Sequence, residues 1–312
     1  MSRRGATAPT WRPTQFLSIL DLSAAELAAC LDLAAALKAA RAARHTHVTP
    51  LTGLHIALLF DKPSLRTRST FTVAVRELGG DVLEPVGDVA LGGRETIEDV
   101  ARNLERWVFG AVIRTFGQDR LQRFAAAAPS LRLVNALTDE EHPCQILSDL
   151  QTIQERLGTF EKKVVTFIGD GACNVPRSWM WAAARLEFQL RIAAPEQFQP
   201  DPQLVAACGP RVSVTDDLAA AAEGADVLYT DVWVSMGKES EEAFRLAQLA
   251  QYQINAATLA KARPGALVMH CLPAYRGKEI TEDILEGHAE TIFAQAENRL
   301  HAQKAVLAWL AR

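Results

Sequence analysis

The chain has 312 residues, 49% of them hydrophobic, and a formal net charge of -4. That length suggests two domains or one large one with a sizeable core. The negative balance argues against a broad nucleic-acid surface, so any anion site must be local. Five widely spaced cysteines, Cys30, Cys144, Cys173, Cys208 and Cys271, fit reduced thiols in a cytoplasm better than a disulfide framework. No run of about 18 apolar residues occurs, so no membrane span is expected.

Met1 to Pro13 is basic and reads as a loose tail, and Phe16 to Leu22, interrupted by Asp21, is a poor signal sequence. Ser23-Ala-Ala-Glu26 is a capping box ahead of a helix to about Arg44, with Leu27, Leu31, Ala34 and Leu37 as its buried stripe. Leu54 to Phe60 reads as a buried strand, and Phe71 to Leu78 as a helix closed by Gly79-Gly80. Between them lies Asp61-Lys-Pro-Ser-Leu-Arg-Thr-Arg-Ser-Thr70. A strand that turns into a helix start leaves backbone N–H groups without internal partners and points a helix dipole at the same place. Ser64, Arg66, Thr67 and Arg68 add hydroxyls and guanidiniums suited to a phosphate dianion. Taken alone, this stretch leaves two readings open: a phosphate cage, or a solvated helix start with ordinary capping.

Asp81 to Val86 reads as a strand, Gly87 to Arg94 as a loop, and Thr96-Ile-Glu-Asp99 as the start of a helix ending near Trp107. Ala111 to Phe116 is a strand carrying Arg114, followed by a helix over Asp119–Ala128 and a strand over Leu131–Val134. Thr138 to Gln145 is a polar turn into a helix from Ile146 to Leu157, with Gly158 to Lys162 as linker. A second set follows: strand Val164–Ile168, Gly169-Asp-Gly-Ala-Cys-Asn174, and a helix to about Leu186. Strands near Leu190–Ala193, Val212–Val214, Val227–Thr230 and Ala266–Met269 alternate with helices. Glu297 to Leu310 reads as a terminal amphipathic helix with Leu300, Val306, Leu307 and Leu310 on one face. No internal repeat appears. The alternation predicts an α/β protein of two domains, each a parallel sheet flanked by helices. Ligands of such sheets sit at the carboxyl ends of strands. The polar clusters fall there: the 64–68 turn, Arg114, His142–Gln145, Asn174, Asp231–Gly237 and His270–Pro273.

These residues resemble the aspartate/ornithine carbamoyltransferase family. Ser64-Leu-Arg-Thr-Arg68 looks like its carbamoyl phosphate signature and His142-Pro-Cys-Gln145 like its His-Pro-x-Gln motif. Asp231-Val-Trp-Val-Ser-Met-Gly237 and His270-Cys-Leu-Pro273 look like the ornithine branch. The resemblance runs from about Phe16 to the C-terminus. It implies a carbamoyl phosphate-binding domain over 1–148 and an ornithine-binding domain over 149–312, with the last helix, about 297–312, returning to the first domain. The implied reaction transfers the carbamoyl group of carbamoyl phosphate to the side-chain amine of L-ornithine, giving L-citrulline and phosphate. No cofactor or metal is expected. It usually assembles as trimers or multiples of trimers with sites between subunits, and a cytoplasmic homotrimer in arginine biosynthesis is the expectation here.

Such acyl transfer needs a clamp on the phosphate, donors for the carbonyl oxygen and a neutral amine. Ser64, the Leu65 backbone N–H, Arg66, Thr67 and Arg68 are candidates for the clamp. By resemblance Arg66, Thr67, Arg114 and His142 surround the carbonyl oxygen or phosphate, a donor there being worth about 2.7–4 kcal/mol in the transition state. Gln145 and the Leu272 carbonyl would hold the carbamoyl NH2, Arg299 is a further carbamoyl contact, and Cys271 borders both substrates. Asn174, Asp231, Ser235 and Met236 are the ornithine set, Ser235-Met-Gly237 being the expected lid. Arg66, Arg114, His142, Cys271 and Asp231 form the expected catalytic group. Making a lysine-like amine neutral at pH 7 costs roughly 4.6 kcal/mol, and handing its proton to a thiolate is uphill by about 2.6 kcal/mol. Cys271 with Asp231 is therefore expected to orient the amine and help remove its proton, with the departing phosphate as final acceptor.

Three positions depart from the family pattern. Ala90 stands where Gln or His often reaches a neighbouring subunit's phosphate, and Arg94 is the candidate substitute. Cys173 replaces a common Asn, and Leu65 a common Thr. Rival readings are weaker. Gly169-Asp-Gly171 is a partial dinucleotide fingerprint that lacks its third glycine. The His-Cys pairs at 142/144 and 270/271 lack zinc spacing, and Cys271 with His142 as a thiol hydrolase lacks an orienting third group. A related acceptor such as acetylornithine, succinylornithine or putrescine, and a non-catalytic family member, complete the alternatives.

Overall fold

The computed structural model describes residues 14–44, 48–85, 91 and 93–312. The basic tail, Val86 and the departure at Ala90 lie outside the described residues. Two five-stranded parallel sheets organise the chain. The first contains β1 (Gln15–Phe16), β2 (His55–Phe60), β3 (Asp81–Leu83), β4 (Gly110–Arg114) and β5 (Arg132–Leu137), in the order β1-β5-β4-β2-β3. The second contains β6 (Val164–Ile168), β7 (Gln189–Ala193), β8 (Val212–Thr215), β9 (Val227–Thr230) and β10 (Leu267–His270), in the order β10-β9-β6-β7-β8. Helices α1 (Ala24–Ala42), α2 (Leu65–Glu77), α3 (Ile97–Trp107) and α4 (Gln118–Ala127) accompany the first sheet. Helix α5 (Pro143–Leu157) connects the two, and the expected division between 148 and 149 falls inside it. The second sheet carries α6 (Asn174–Arg185), α7 (Pro202–Cys208), α8 (Leu218–Ala222), α9 (Glu242–Leu249), α10 (Ala256–Leu259) and α11 (Glu282–Gly287) before α12 (Ala289–Leu310) closes the chain.

Strand order reverses between β2 and β4 in one sheet and between β6 and β9 in the other. Each reversal opens a crevice at the carboxyl ends of its strands, because the flanking connections leave toward opposite faces. An apolar cluster runs through both halves, including Leu58, Phe71 and Leu150 on one side and Phe167, Trp179 and Tyr229 on the other. Within it Trp179 stands edge-on to Tyr229 at 5.7 Å and to Phe188 at 5.6 Å.

Several elements differ from the sequence expectation. The stretch read as a turn before Phe71 is already helix from Leu65. Ser64 caps it by accepting from the Thr67 N–H at 3.2 Å, and the Thr70 and Thr72 hydroxyls bond back to the Arg66 and Arg68 carbonyls at 2.7 and 2.9 Å. These bonds satisfy the two hydroxyls within the helix, at a small cost to its own ladder. Strand β3 ends at Leu83 rather than Val86, and β5 runs on to Leu137 beside β4. Helix α5 starts at Pro143 rather than Ile146, since proline suits the first helical turn. The two-residue β1 was not expected; it pairs with β5 at the sheet edge.

The largest correction concerns the last helix, which starts at Ala289 and is buried on nearly every face, not along one stripe. It packs on the first half of the chain, where Arg299 Nη2 donates to Thr67 Oγ1 at 2.6 Å and Lys304 Nζ meets Glu77 at 2.7 Å. Asn298 Nδ2 donates to Thr152 Oγ1 and Glu155, both at 2.9 Å. Asn298, Arg299 and Lys304, which suggested a wet face, are instead paired inside the protein, and Gln303 is buried there without a partner.

Candidate active site

The two crevices face each other across one cavity of about 1040 Å³. One wall is built from the end of β2, the start of α2, the end of β4, the start of α5 and one turn of α12. It carries Lys62, Ser64, Leu65, Arg66, Arg114, His142 and Arg299. The other follows β6, β9 and β10 and carries Asp170, Asn174, Asp231, Ser235, Met236, Cys271 and Leu272. Twelve of the fifteen sequence candidates therefore line one space. Thr67, Arg68 and Gln145 do not line it. Thr67 is buried and receives Arg299, as above. Arg68 is ion-paired with Glu84 and lies over the Phe60 ring. Gln145 sits in the first turn of α5, fully buried.

The first wall is cationic and short of partners. Among the described residues no ion pair neutralises Arg66, Arg114 or Arg299. Burial, then repulsion by Arg299 and Arg66, pulls the Arg114 guanidinium down to about 10, which leaves it cationic at neutral pH. Burial also lowers Arg299. The Nε atoms of Arg114 and Arg299, His142 Nδ1 and Gln145 Oε1 are buried with no hydrogen-bond partner. Such atoms cost about 1–3 kcal/mol each when left alone. Helix geometry adds the free Leu65 and Arg66 N–H groups at the start of α2. The His142 imidazole is driven well below its usual range, first by burial and then by Arg299 and Arg114, so it stays uncharged at neutral pH. Its backbone N–H is fixed by Ser178 Oγ at 2.9 Å.

The second wall is acidic and thiol-bearing. Cys271 Sγ donates to Asp231 Oδ1 at 2.9 Å, and the Val232 N–H donates to the same oxygen at 2.7 Å. Burial, then the Asp231 charge, pushes the Cys271 thiol well above its usual range, and burial raises Asp231 as well. Cys271 is therefore a thiol at neutral pH. Leu272 holds a left-handed backbone, φ +57°, which costs a non-glycine residue about 1–3 kcal/mol. Its N–H donates to His270 Nδ1 at 2.8 Å, so Nε2 carries the proton that reaches Glu279 at 3.0 Å. Asn174 Nδ2 donates to the Thr138 carbonyl at 2.7 Å, which turns its amide oxygen away from that bond. The loop with Ser235 and Met236 turns through Gly237 at φ +89° and leaves Met236 exposed. Arg94 is exposed.

Asp231, His270 and Cys271 bring potential metal ligands within 4.8 Å of one another. Both His270 ring nitrogens and the Cys271 thiol are already spent on internal bonds. The partial dinucleotide fingerprint has a packing explanation. A side chain at Gly171 would place its Cβ 2.6 Å from Ile192 Cγ2, so glycine lets this connection pass close to β7. Cys144 is buried with its thiol on the Asn135 carbonyl at 3.4 Å.

Sequence reasoning missed three groups. Lys62 is buried at the cavity wall, paired with Asp139 and 4.4 Å from the Phe116 ring centre. Arg245 joins Asp170 at 2.7 Å and Glu241 at 2.8 Å beneath the 235–238 loop. Asp149 sits behind Gln145. Lys62 alone had a local signal, its place beside Pro63 and Ser64.

Comparison with known proteins agrees over almost the whole chain. Residues 14–155 match the aspartate/ornithine carbamoyltransferase carbamoyl-P binding domain, and residues 161–310 match the Asp/Orn binding domain of the same family. An ornithine carbamoyltransferase of Akkermansia muciniphila is 49% identical over 300 residues, 95% of this chain and 97% of that protein. The crystal structure of ornithine carbamoyltransferase from Gloeobacter violaceus is similar at a TM-score of 0.85 and 42% identity, covering 97% of this chain and 100% of that one. The enzyme of the same name from Pyrococcus furiosus gives a TM-score of 0.88 at 38% identity, over 95% and 96% of the two chains. With both domain models matched in order and the fold reproduced, the chain belongs to the aspartate/ornithine carbamoyltransferase family.

Proposed function

We propose that this protein transfers the carbamoyl group of carbamoyl phosphate to the side-chain amine of L-ornithine, giving L-citrulline and phosphate. The observation that carries this reading is the unneutralised cluster of Arg66, Arg114 and Arg299 facing the Asp231–Cys271 pair across one cavity. A phosphate dianion relieves the mutual repulsion of the first group. A diamine with a free α-ammonium suits the second.

Ser64, the Leu65 N–H, Arg66, Thr67 and Arg68 form the phosphate end of α2. Within this set Thr67 acts by holding Arg299, and Arg68, paired with Glu84, acts from outside the cavity. Arg66, Arg114 and uncharged His142 donate to the carbonyl oxygen, where negative charge grows as the amine attacks. Gln145 and the Leu272 carbonyl accept from the carbamoyl NH2. Asp231 binds the α-ammonium, Asn174 the carboxylate, and Ser235 with Met236 closes over the chain, excluding water and disfavouring the charged form of the attacking amine. The new N–C bond forms as the C–O bond to phosphate breaks. Phosphate leaves with that electron pair and takes the amine proton. Cys271, held as a thiol, orients the amine through its bond to Asp231 and is not the base.

A homotrimer and arginine biosynthesis are the assembly and setting we propose by family likeness. Five free cysteines support a reducing cytoplasm, and no helix among the described residues is long and apolar enough to cross a membrane. The discriminating experiment offers purified protein carbamoyl phosphate with ornithine, acetylornithine, putrescine and aspartate in turn. Product with ornithine alone supports the reading, and product with acetylornithine or putrescine alone, or with none, removes it.

A further inference from the structure

Behind the cavity Gln145 belongs to a buried polar relay whose other side chains, Asp149 and Gln295, the transfer chemistry above does not use. Gln145 Nε2 and Gln295 Nε2 both donate to Asp149 Oδ1, at 2.8 and 2.7 Å. Gln295 Oε1 accepts from the His270 backbone N–H at 3.0 Å, and its own carbonyl accepts from Ser148 Oγ at 2.7 Å. Gln145, Asp149 and Gln295 are all fully buried. A carboxamide is nearly symmetric in shape, so packing alone does not choose which end is left free. An acceptor behind it does choose. With Nε2 held by Asp149, Gln145 Oε1 is the end left without a partner.

We propose that Asp149 is a positioning residue for substrate selection: it fixes Gln145 as a hydrogen-bond acceptor and, through Gln295, holds the His270–Leu272 backbone, so that the site accepts an amino group on the transferred acyl carbon and rejects a methyl group. This rests on the function proposed above. Residues from three places act together here: α5 supplies Gln145 and Asp149, α12 supplies Gln295, and β10 ends in the backbone they hold. A site built to accept hydrogen bonds loses them when an isosteric methyl takes the place of NH2, and its buried acceptors are then unpaired. The guanidinium cluster does not touch this relay through any hydrogen bond among the described residues, so phosphate binding is separable from it.

The test is the affinity of the full-length protein for carbamoyl phosphate, acetyl phosphate and inorganic phosphate, measured by calorimetry in the cold. Wild type should prefer carbamoyl over acetyl phosphate. Asp149→Leu should erase about tenfold or more of that preference while inorganic phosphate binds as before. Asp149→Asn, which keeps an acceptor oxygen in place, should restore it. If Asp149→Leu does not fold, Gln295→Met removes the relay from its other end and should also cut the preference. An unchanged carbamoyl-to-acetyl ratio in the folded variants overturns the proposal, as does an equal loss for all three ligands. A wild type that shows no preference for carbamoyl phosphate overturns the proposed function itself, and that outcome is distinct from variants that discriminate like a discriminating wild type.

Discussion

The two walls of the cavity differ in how deeply several of their key groups are buried. On the first, Arg114, His142 and Arg299 are nearly fully buried and sit at the ends of a strand, a helix start and a helix interior. On the second, Asp231 is half-buried and Met236 is 44% exposed on a loop turned by glycine. The difference fits the two tasks. Stabilising charge on a small mixed anhydride calls for dipoles fixed in advance, whereas admitting a flexible diamine and then shedding its water calls for a wall that moves. In this reading the anion side stores its cost as unpartnered buried donors, and the amine side stores it as an unfinished surface.

The comparison breaks most readily on the first wall. Arg114→Ala should lower kcat by about 10²–10³, the usual loss for one donor at a developing oxyanion, with Arg66→Ala close behind. A loss confined to KM would show uniform binding instead. On the second wall Asp231→Ala should cut kcat/KM for ornithine by about 10–100-fold, as for a lost charge-assisted bond, and leave carbamoyl phosphate affinity in place; calorimetry with each substrate separates the two. Cys271→Ala should lower kcat by about tenfold, one hydrogen bond's worth. Its pH–rate profile should keep the wild-type shape, since burial and Asp231 hold Cys271 as a thiol at neutral pH. A profile that loses an inflection would make the thiol a titrating base. Neither protein should show a step from His142 near 6.5, because burial and two arginines keep it uncharged.

Stability against pH sharpens the picture of the buried relay. Burial raises the Asp149 carboxyl from 3.8 to about 7 in the folded chain. The folded state thus holds a proton that the unfolded state has released, and stability falls as pH rises between these values. Asp149→Asn removes that dependence, so its melting temperature relative to wild type should climb from about pH 4 to about pH 7 and then level; a constant difference would refute the buried ionisation. The smallest effect belongs to Arg68→Ala. Its ion pair with Glu84 is partly exposed, so removal should cost at most about 1 kcal/mol in denaturant titration.

Much of the molecule was legible in the sequence for simple reasons. Buried parallel strands read as apolar runs, and Val227–Thr230 is where the sequence placed it. The capping box at Ser23 and Glu26 marks the start of α1. Residues at strand ends were legible as a site because polar clusters recur there, and twelve of them share one cavity. What was hidden depends on contacts far apart in the chain. Nothing near Lys304 or Asn298 announces partners on α2 and α5, so the last helix looked amphipathic when its polar face is buried. Asp149 reads as an ordinary helix carboxylate until Gln295, 146 residues on, is seen to share it with Gln145. Thr67 reads as a phosphate hydroxyl until Arg299 is found on it, 232 residues away.

Product stoichiometry decides whether carbamoyl transfer to ornithine occurs. The protein is supplied with carbamoyl phosphate, with and without ornithine, and citrulline and phosphate are quantified together. Citrulline should form only when ornithine is present, with enzyme-dependent phosphate release matching it mole for mole. Phosphate released without citrulline, or no turnover with both reactants supplied, would contradict the proposed transfer.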